Sequence, residues 1–403
     1  MSLAATKTNK NKAHPASSPE KHSTRSNADL LTVYTDFSSV ENIWRRFEET
    51  ADCYAFQSFD FLSTWYQHIG TLSKTDVQIV VVWGTNAKPK MILPLGIEQT
   101  GWIRKLVWLG DSVSDYNAPL LANDFSQQTD QAPFAELWNE VLAILPSHDC
   151  VDLERQPAMV GEQENPFLEL AVTVNASGAH MTVMGDDFSS YFNEKRNSRT
   201  KQQYRNRRKK LRALGETEYV HPQTESEISA SVSKLIELKG DAFRAMGVSN
   251  FLDNPGYAEF YKELAVKSGE NGLAHVSHLE VGGNYAAGSW GLVHKGRFYY
   301  LLASYDGPSY GRLAPGTQAL VYLMRWAAER GVTTFDFTIG DESYKSAWCE
   351  KSIELFDHRK AITFRGLITT TGTHVSKSIK RMIKQSPKLW KAYTVAREKL
   401  FAK

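Results

Sequence analysis

FYYLLASYDGPSYGRLAPGTQALVYLMRWAAERGVTTFDF, residues 298–337, is the stretch on which the reading of the fold turns. Phe298 to Ser304 is a strongly apolar strand that ends at Tyr305-Asp306. A loop follows from Gly307 to Pro315, rich in the Gly and Pro that break regular structure. Gly316 to Arg330 is a helix, because Ala319, Leu320, Leu323 and Ala327 recur at helical spacing, and Gly331 ends it. Thr333 to Phe337 is the next strand.

Upstream, Leu273 to Val281 alternates as a half-buried strand, Gly282-Gly283 makes a hairpin turn, and Tyr285 to His294 is the partner before Lys295-Gly296 turns the chain again. The first half repeats this order. Asp76 to Trp83, Lys90 to Ile97 and Trp102 to Leu109 are strands, with Pro94 marking an edge or a bulge. A loop containing Asp115 to Pro119, a helix Ala132 to Leu145 and a strand Cys150 to Leu153 follow. A short strand, Leu31 to Tyr34, and a helix, Val40 to Thr50, with Ile43, Trp44 and Phe47 on one side, precede them. Both halves thus read strand, strand, strand, loop, helix, strand. That order suggests an internal duplication; two unrelated α/β domains are the alternative.

The rest of the chain is punctuation. Met1 to Ala28 is polar and reads as a disordered tail. Lys195 to Arg212 holds ten Lys or Arg and no acid, with Tyr204, Leu211 and Leu214 as a thin apolar stripe. Glu225 to Ala245 and Tyr257 to Val266 read as helices. Val375 to Lys403 is basic and amphipathic, and Pro387 restarts it as a second helix. The division is therefore a tail over 1–28, a first α/β domain over 29–180, a second over 181–370 and a basic helical tail over 371–403.

With 403 residues, 42% apolar and 23% charged, the chain is long enough for two or three packed domains. A net charge of +2 points to neither nucleic acid nor membrane, so local clusters must decide. Three cysteines far apart fit neither a disulfide framework nor a metal site, and suit a reducing cytoplasm. No run reaches the ~18 apolar residues of a spanning helix, and the N-terminus has no apolar signal core. His275 and His278 face opposite sides of one strand. HExxH, Gly-x-Ser-x-Gly and P-loop patterns are absent, and no metal site is expected.

Four stretches carry a family resemblance. They are the basic segment ending Arg207-Arg208-Lys209-Lys210-Leu211, the strand Tyr299 to Asp306, the helix opening Ala314-Pro315-Gly316 and closing Trp326-Ala327 and Gly331, and Phe335-Asp336-Phe337 followed by Gly340-Asp341-Glu342 and Tyr344-Lys345. In this order, over Asp187 to Phe364, the chain resembles the GNAT acyltransferase superfamily. It looks most like the branch of CelD-type proteins of cellulose and polysaccharide biosynthesis. It is more distantly similar to the Fem-type transferases with tandem GNAT domains. The resemblance implies an α/β (α+β) fold of tandem GNAT-like domains, each a mixed, mostly antiparallel sheet with flanking helices, the first degenerate. One departure stands out: the usual Arg/Gln-x-x-Gly-x-Gly/Ala loop is here Arg312-Leu313-Ala314-Pro315-Gly316-Thr317, with one glycine.

The chemistry follows from the helix start. Its first N–H groups lack intrahelical partners and carry the positive end of the helix dipole, so they suit a pyrophosphate. Arg312, Ala314, Pro315, Gly316 and Thr317 are the candidates for holding acetyl-CoA or another acyl-CoA. The resemblance implies that the donor lies between the strands flanking the helix, with backbone N–H at Ala303 or Ser304 on the thioester carbonyl. An acceptor amine or hydroxyl must lose a proton to a carboxylate. Asp306, Asp336, Asp341 and Glu342 sit at element ends, and Asp341 and Glu342 are favoured. Tyr344 is the candidate acid for the leaving thiolate, and Lys345 orients a carboxylate or the acyl oxygen.

Plainer readings stand beside these: a Pro-Gly cap, a capping role for Asp336, an N-cap at Asp341-Glu342 for a short helix through Trp348, and packing or surface roles for Tyr344 and Lys345. The basic segment is a solvated linker helix, a contact for an anionic partner, or a cover for the coenzyme phosphates. The C-terminal tail docks on the protein or, through Trp390, Tyr393, Val395 and Leu400, on the inner membrane. The expected function is cytoplasmic acyl transfer to a sugar, amino sugar or carrier-linked intermediate of envelope polysaccharide. The alternatives are a Fem-like transferase using aminoacyl-tRNA and a non-catalytic accessory protein.

Overall fold

Two mixed sheets form the frame of the computed structural model, which describes residues 30–84, 87–127, 133–269, 272–340 and 344–372. The N-terminal tail and residues 373–403 lie outside the described residues.

The first sheet takes β1 (Leu30–Tyr34), β2 (Asp76–Trp83), β3 (Pro89–Thr100), β4 (Ile103–Trp108), β5 (Leu120–Leu121) and β6 (Cys150–Pro157). β2 and β3 are near-continuous apolar runs, and successive residues are buried from Val77 to Val82 and from Lys90 to Ile97, so this sheet is covered on both faces. Its helices are α1 (Phe37–Glu48), capped by the Asp36 carboxylate on Ser39 N–H, α2 (Phe59–Trp65) and α3 (Phe134–Ile144). A small hairpin, β7 (Met159–Val160) with β8 (Gln163–Glu164), and β9 (Val172–Val174) lead out of it.

The second sheet starts at β10 (Ala179–Val183). Then come α4 (Phe188–Lys195), α5 (Ser198–Leu214), β11 (Thr217–Val220), α6 (Glu225–Ala245) and α7 (Tyr257–Ser268). α6 opens with a reciprocal capping box between Thr224 and Glu227. The meander β12 (Ala274–Val281), β13 (Asn284–His294) and β14 (Arg297–Tyr305) follows. A one-turn helix α8 (Gly307–Tyr310) leads to α9 (Pro315–Glu329), β15 (Thr334–Ile339), β16 (Lys351–Ile353) and β17 (Leu355–Ala361).

The expected repeat appears as topology. β2, β3 and β4 pair antiparallel in sequence and β6 joins β4 in parallel; β12, β13 and β14 do the same and β15 joins β14 in parallel. A division at residue 180 does not follow the sheets. β10 spans that point and pairs with β15, while β17 returns to the first sheet between β6 and β9. A strand of the second half thus completes the first sheet, a long-range pairing that no local pattern encodes.

Pro94 also departs from expectation. β3 is an interior strand, and Pro94 lies opposite Ile79 without a bulge. Its carbonyl accepts from Leu109 N–H at 2.8 Å, so the edge of residue 94 that lacks an N–H faces the seam where the partner changes from β4 to β5. Pro94 keeps only the carbonyl half of its pair with Leu109.

One core runs through both halves: Phe56 and Phe61 from the first pack against Tyr299 and Phe260 of the second. The other face of the second sheet is closed by α9 and α4, where Phe298, Phe335, Phe337, Leu323 and Trp326 are buried. His275 stacks on Trp326 of that layer, whereas His278 faces the opposite way and meets Ser231 of α6.

Candidate functional site

β14 and β15 run side by side for three residue pairs, Arg297 with Thr334, Phe298 with Phe335 and Tyr299 with Asp336. Beyond them the strands part. β14 continues to Tyr305 along β13, where Leu301 is passed over in the register, so a bulge bends the strand as the parting opens. β15 turns away at Thr338, whose φ of 57° is rare for a β-branched residue. The local cause is Asp336. Its carboxylate accepts the Thr338 N–H at 2.7 Å, an Asx turn that replaces a ladder bond with a side-chain bond. The Thr338 hydroxyl donates back to the Tyr300 carbonyl at 3.3 Å.

Asp336 is 0% exposed and its carboxylate holds the Thr338 N–H, which gives it the capping role. The Tyr116 hydroxyl donates to both its oxygens at 2.8 and 3.0 Å, and Arg297 Nη1 stands 3.5 Å away. Burial pushes its carboxyl up to about 6, against Arg297, the Thr338 N–H and the Tyr116 hydroxyl, which favour the charged form.

α9 begins where β14 ends. Tyr305, the last residue of β14, lays its ring against Gly316, where a Cβ would come within 3.4 Å of it. Pro315 occupies the first helical position, where its missing N–H costs nothing, and Ala314 precedes it at φ 50°. Arg312 and Thr317 are exposed and Gly316 is half-buried. Arg312, Ala314, Pro315, Gly316 and Thr317 thus gather at one helix start, although Thr317 N–H already bonds the Ala314 carbonyl. Ala303 and Ser304 lie on β14 past the parting point, and Lys239 of α6 donates to the Ala303 carbonyl at 3.2 Å.

The remaining candidates separate. Asp306 caps α8, its carboxylate accepting Ser309 N–H at 3.0 Å. Lys345 is buried and donates to the Ile339 carbonyl at 2.7 Å, so its ammonium holds the end of β15. Tyr344 is exposed, with its ring edge against Phe337. Asp341 and Glu342 lie outside the described residues. Past them the chain makes a single turn over Lys345–Ala347 before Trp348.

The basic segment is no detached linker. Lys195 pairs with Glu350 at 2.6 Å, and Arg196 stacks over Trp348 and donates to the Ala347 carbonyl. α5 then lies beside the α9 start: Leu211 is buried against Tyr310 and Leu313, Arg208 stands over Tyr322, and Gln318 donates to the Tyr204 carbonyl. Arg199, Arg205, Arg207, Lys209, Lys210 and Arg212 remain exposed.

Sequence reasoning missed Tyr116, Arg297, Thr338 and Lys239. Only Tyr116 had a signal, its place in a Gly- and Pro-flanked loop between strand and helix. The others are ordinary residues made significant by their neighbours.

Among the described residues, no group of three or more His, Cys, Asp or Glu could hold a metal ion, and no helix is long and apolar enough to cross a membrane. No curated protein matches the sequence. Among solved structures, FemX is similar over 80% of this chain and 96% of its own, with 10% identity and a TM-score of 0.55. The C-terminal domain of a putative lysylphosphatidylglycerol synthetase from Agrobacterium fabrum gives 9% identity, coverages of 84% and 95%, and a TM-score of 0.49. A tandem GNAT protein from the clavulanic acid biosynthesis pathway gives 12%, 83%, 98% and 0.44. At such identities the likeness to FemX is one of fold, a mixed α/β fold of two mixed sheets with flanking helices. Residues 198–346, which contain α5, the parting of β14 from β15 and the start of α9, match the model of the acetyltransferase (GNAT) domain.

Proposed function

We propose that the second half transfers an acyl group from acyl-CoA to an amine or hydroxyl. The observation that carries this is the parting of β14 from β15 after Tyr299 and Asp336, with a helix N-terminus at the end of β14. A thioester donor fits the residues present. The Gly316 and Thr317 end of α9 with Arg312 suits a diphosphate, and the side of β14 at Ala303 and Ser304 is backbone that β15 no longer covers. When bound, such a donor supplies an activated acyl carbon. The chain's own part is to hold it, polarise its carbonyl through backbone N–H near Ala303, and take the acceptor's proton. Asp341 and Glu342, which follow β15 directly in sequence, are assigned the proton, and Tyr344 the leaving thiolate. A sugar, amino sugar or carrier-linked intermediate of polysaccharide is the acceptor class that the CelD-like resemblance suggests, with action in the cytoplasm.

A second reading uses aminoacyl-tRNA as donor, as in Fem-type transferases. The row of exposed Arg and Lys on α5 beside the α9 start favours it, because it places positive charge next to the proposed donor site.

Calorimetry with acetyl-CoA separates the two. Micromolar binding that is lost in Gly316→Trp supports the first reading. Absent binding with retention of charged tRNA, weakened by salt, supports the second. In the first case Asp341→Asn or Glu342→Gln lowers turnover by ~10²-fold or more; full turnover in both variants removes them from the role of base.

A further inference from the structure

Each half carries a parting, and that of the first half is filled by its own chain. β4 and β6 pair in parallel at just Lys105 with Cys150 and Leu106 with Val151. The loop after β4 fills the gap beyond. Asn117 N–H donates to the Arg155 carbonyl at 3.1 Å, and its side-chain amide donates to the Glu154 carbonyl at 3.0 Å and to Asp111 at 2.9 Å. Arg155 in turn pairs with Asp111 at 2.7 Å. The first half is plugged by its own chain.

The neighbour of the plug reaches into the other half. Tyr116 is 0% exposed, with its ring set among Tyr54, Phe56 and Tyr299. Its hydroxyl ends on Asp336, whose carboxylate also holds the N–H of left-handed Thr338. Asp115, one residue earlier, has its carboxyl beside the Thr338 hydroxyl and the Ile339 N–H, with Arg155 and Lys345 as nearby positive charges. A β-branched residue keeps a positive φ only when its surroundings over-determine it. Here part of those surroundings comes from the first half.

We infer that Tyr116, seconded by Asp115, is a positioning residue: the loop of the first half holds the β14–β15 parting of the second half in its open shape, so that both halves build one donor site. The inference rests on reading that parting as the donor site.

Tyr116→Phe is the test, because it removes the hydroxyl and keeps the ring contacts. Amide exchange is followed in the ligand-free full chain. Exchange at residues 335–340 is expected to rise roughly tenfold or more, about what one hydrogen bond to a charged group is worth, while β2 and β3 keep their protection. Acetyl-CoA affinity is expected to fall by a similar factor. Unchanged exchange at Thr338 overturns the inference, and so does an equal rise throughout the molecule, which marks general destabilisation. If the wild type binds no acetyl-CoA, the donor reading falls and exchange alone decides this one. Should Tyr116→Phe fail to fold, Asp115→Asn is read by the same two measurements.

Discussion

Glu48 closes α1 with its carboxylate turned inward, where it accepts the Phe59 N–H at 2.7 Å. Burial pushes its carboxyl up to about 7 and nearby Asp60 adds to this; the Phe59 N–H, Arg45 and Lys295 pull the other way. The native state therefore keeps a proton that the unfolded chain releases near the ordinary 4.5. Between those values the native state binds more protons, so the contribution of Glu48 to stability is complete below the lower value and is lost as pH rises through the upper one. Glu48→Gln keeps the acceptor and abolishes the titration. The variant is expected to match wild type below pH ~4.5 and to exceed it by ~1–3 kcal/mol above pH ~7. Denaturant unfolding at several pH values reads this difference, and a gap that stays constant with pH refutes the assignment.

At the scale of elements, the shape of β14 depends on its partner strand. Gly291 of β13 faces Tyr300 just where the register skips Leu301. A Cβ at residue 291 would overlap the Tyr299 carbonyl and the Phe298 ring, so the close approach that accommodates the bulge requires glycine. Gly291→Ala is expected to destabilise the protein by ~1–3 kcal/mol through overpacking. It should also weaken donor binding more than an Ala substitution of similar cost in the first sheet does. Thermal unfolding paired with acetyl-CoA calorimetry measures both, and equal binding in the two variants would detach the bulge from the donor site.

For the whole molecule, the open question of placement is a membrane surface. Phe364, Leu367 and Ile368 are exposed at 76%, 51% and 63%, and the helix that bears them leads into residues 373–403, which contain nine Lys or Arg against one Glu. An apolar helix face followed by strong positive charge matches an anionic lipid surface. The full chain is expected to co-sediment with vesicles containing phosphatidylglycerol and to be released by salt. A chain ending at residue 372 should lose most of this binding. Equal sedimentation of the two chains would place the tail elsewhere.

The sequence by itself determined the elements and much of their order. Periodicity marked α9 by Ala319, Leu320, Leu323 and Ala327, Gly331 marked its end, and the whole span of α6 from Glu225 to Ala245 was readable, because helix period and capping are local properties. The glycine at the helix start was readable for the same reason. Tertiary structure alone decided that β17 returns to the first sheet, that Pro94 is interior, and that Asp336 is sealed between Arg297 and a tyrosine 220 residues away in the chain. Strand pairing and the partners of a buried charge are settled by which surfaces meet after collapse, and spacing along the chain carries no record of that.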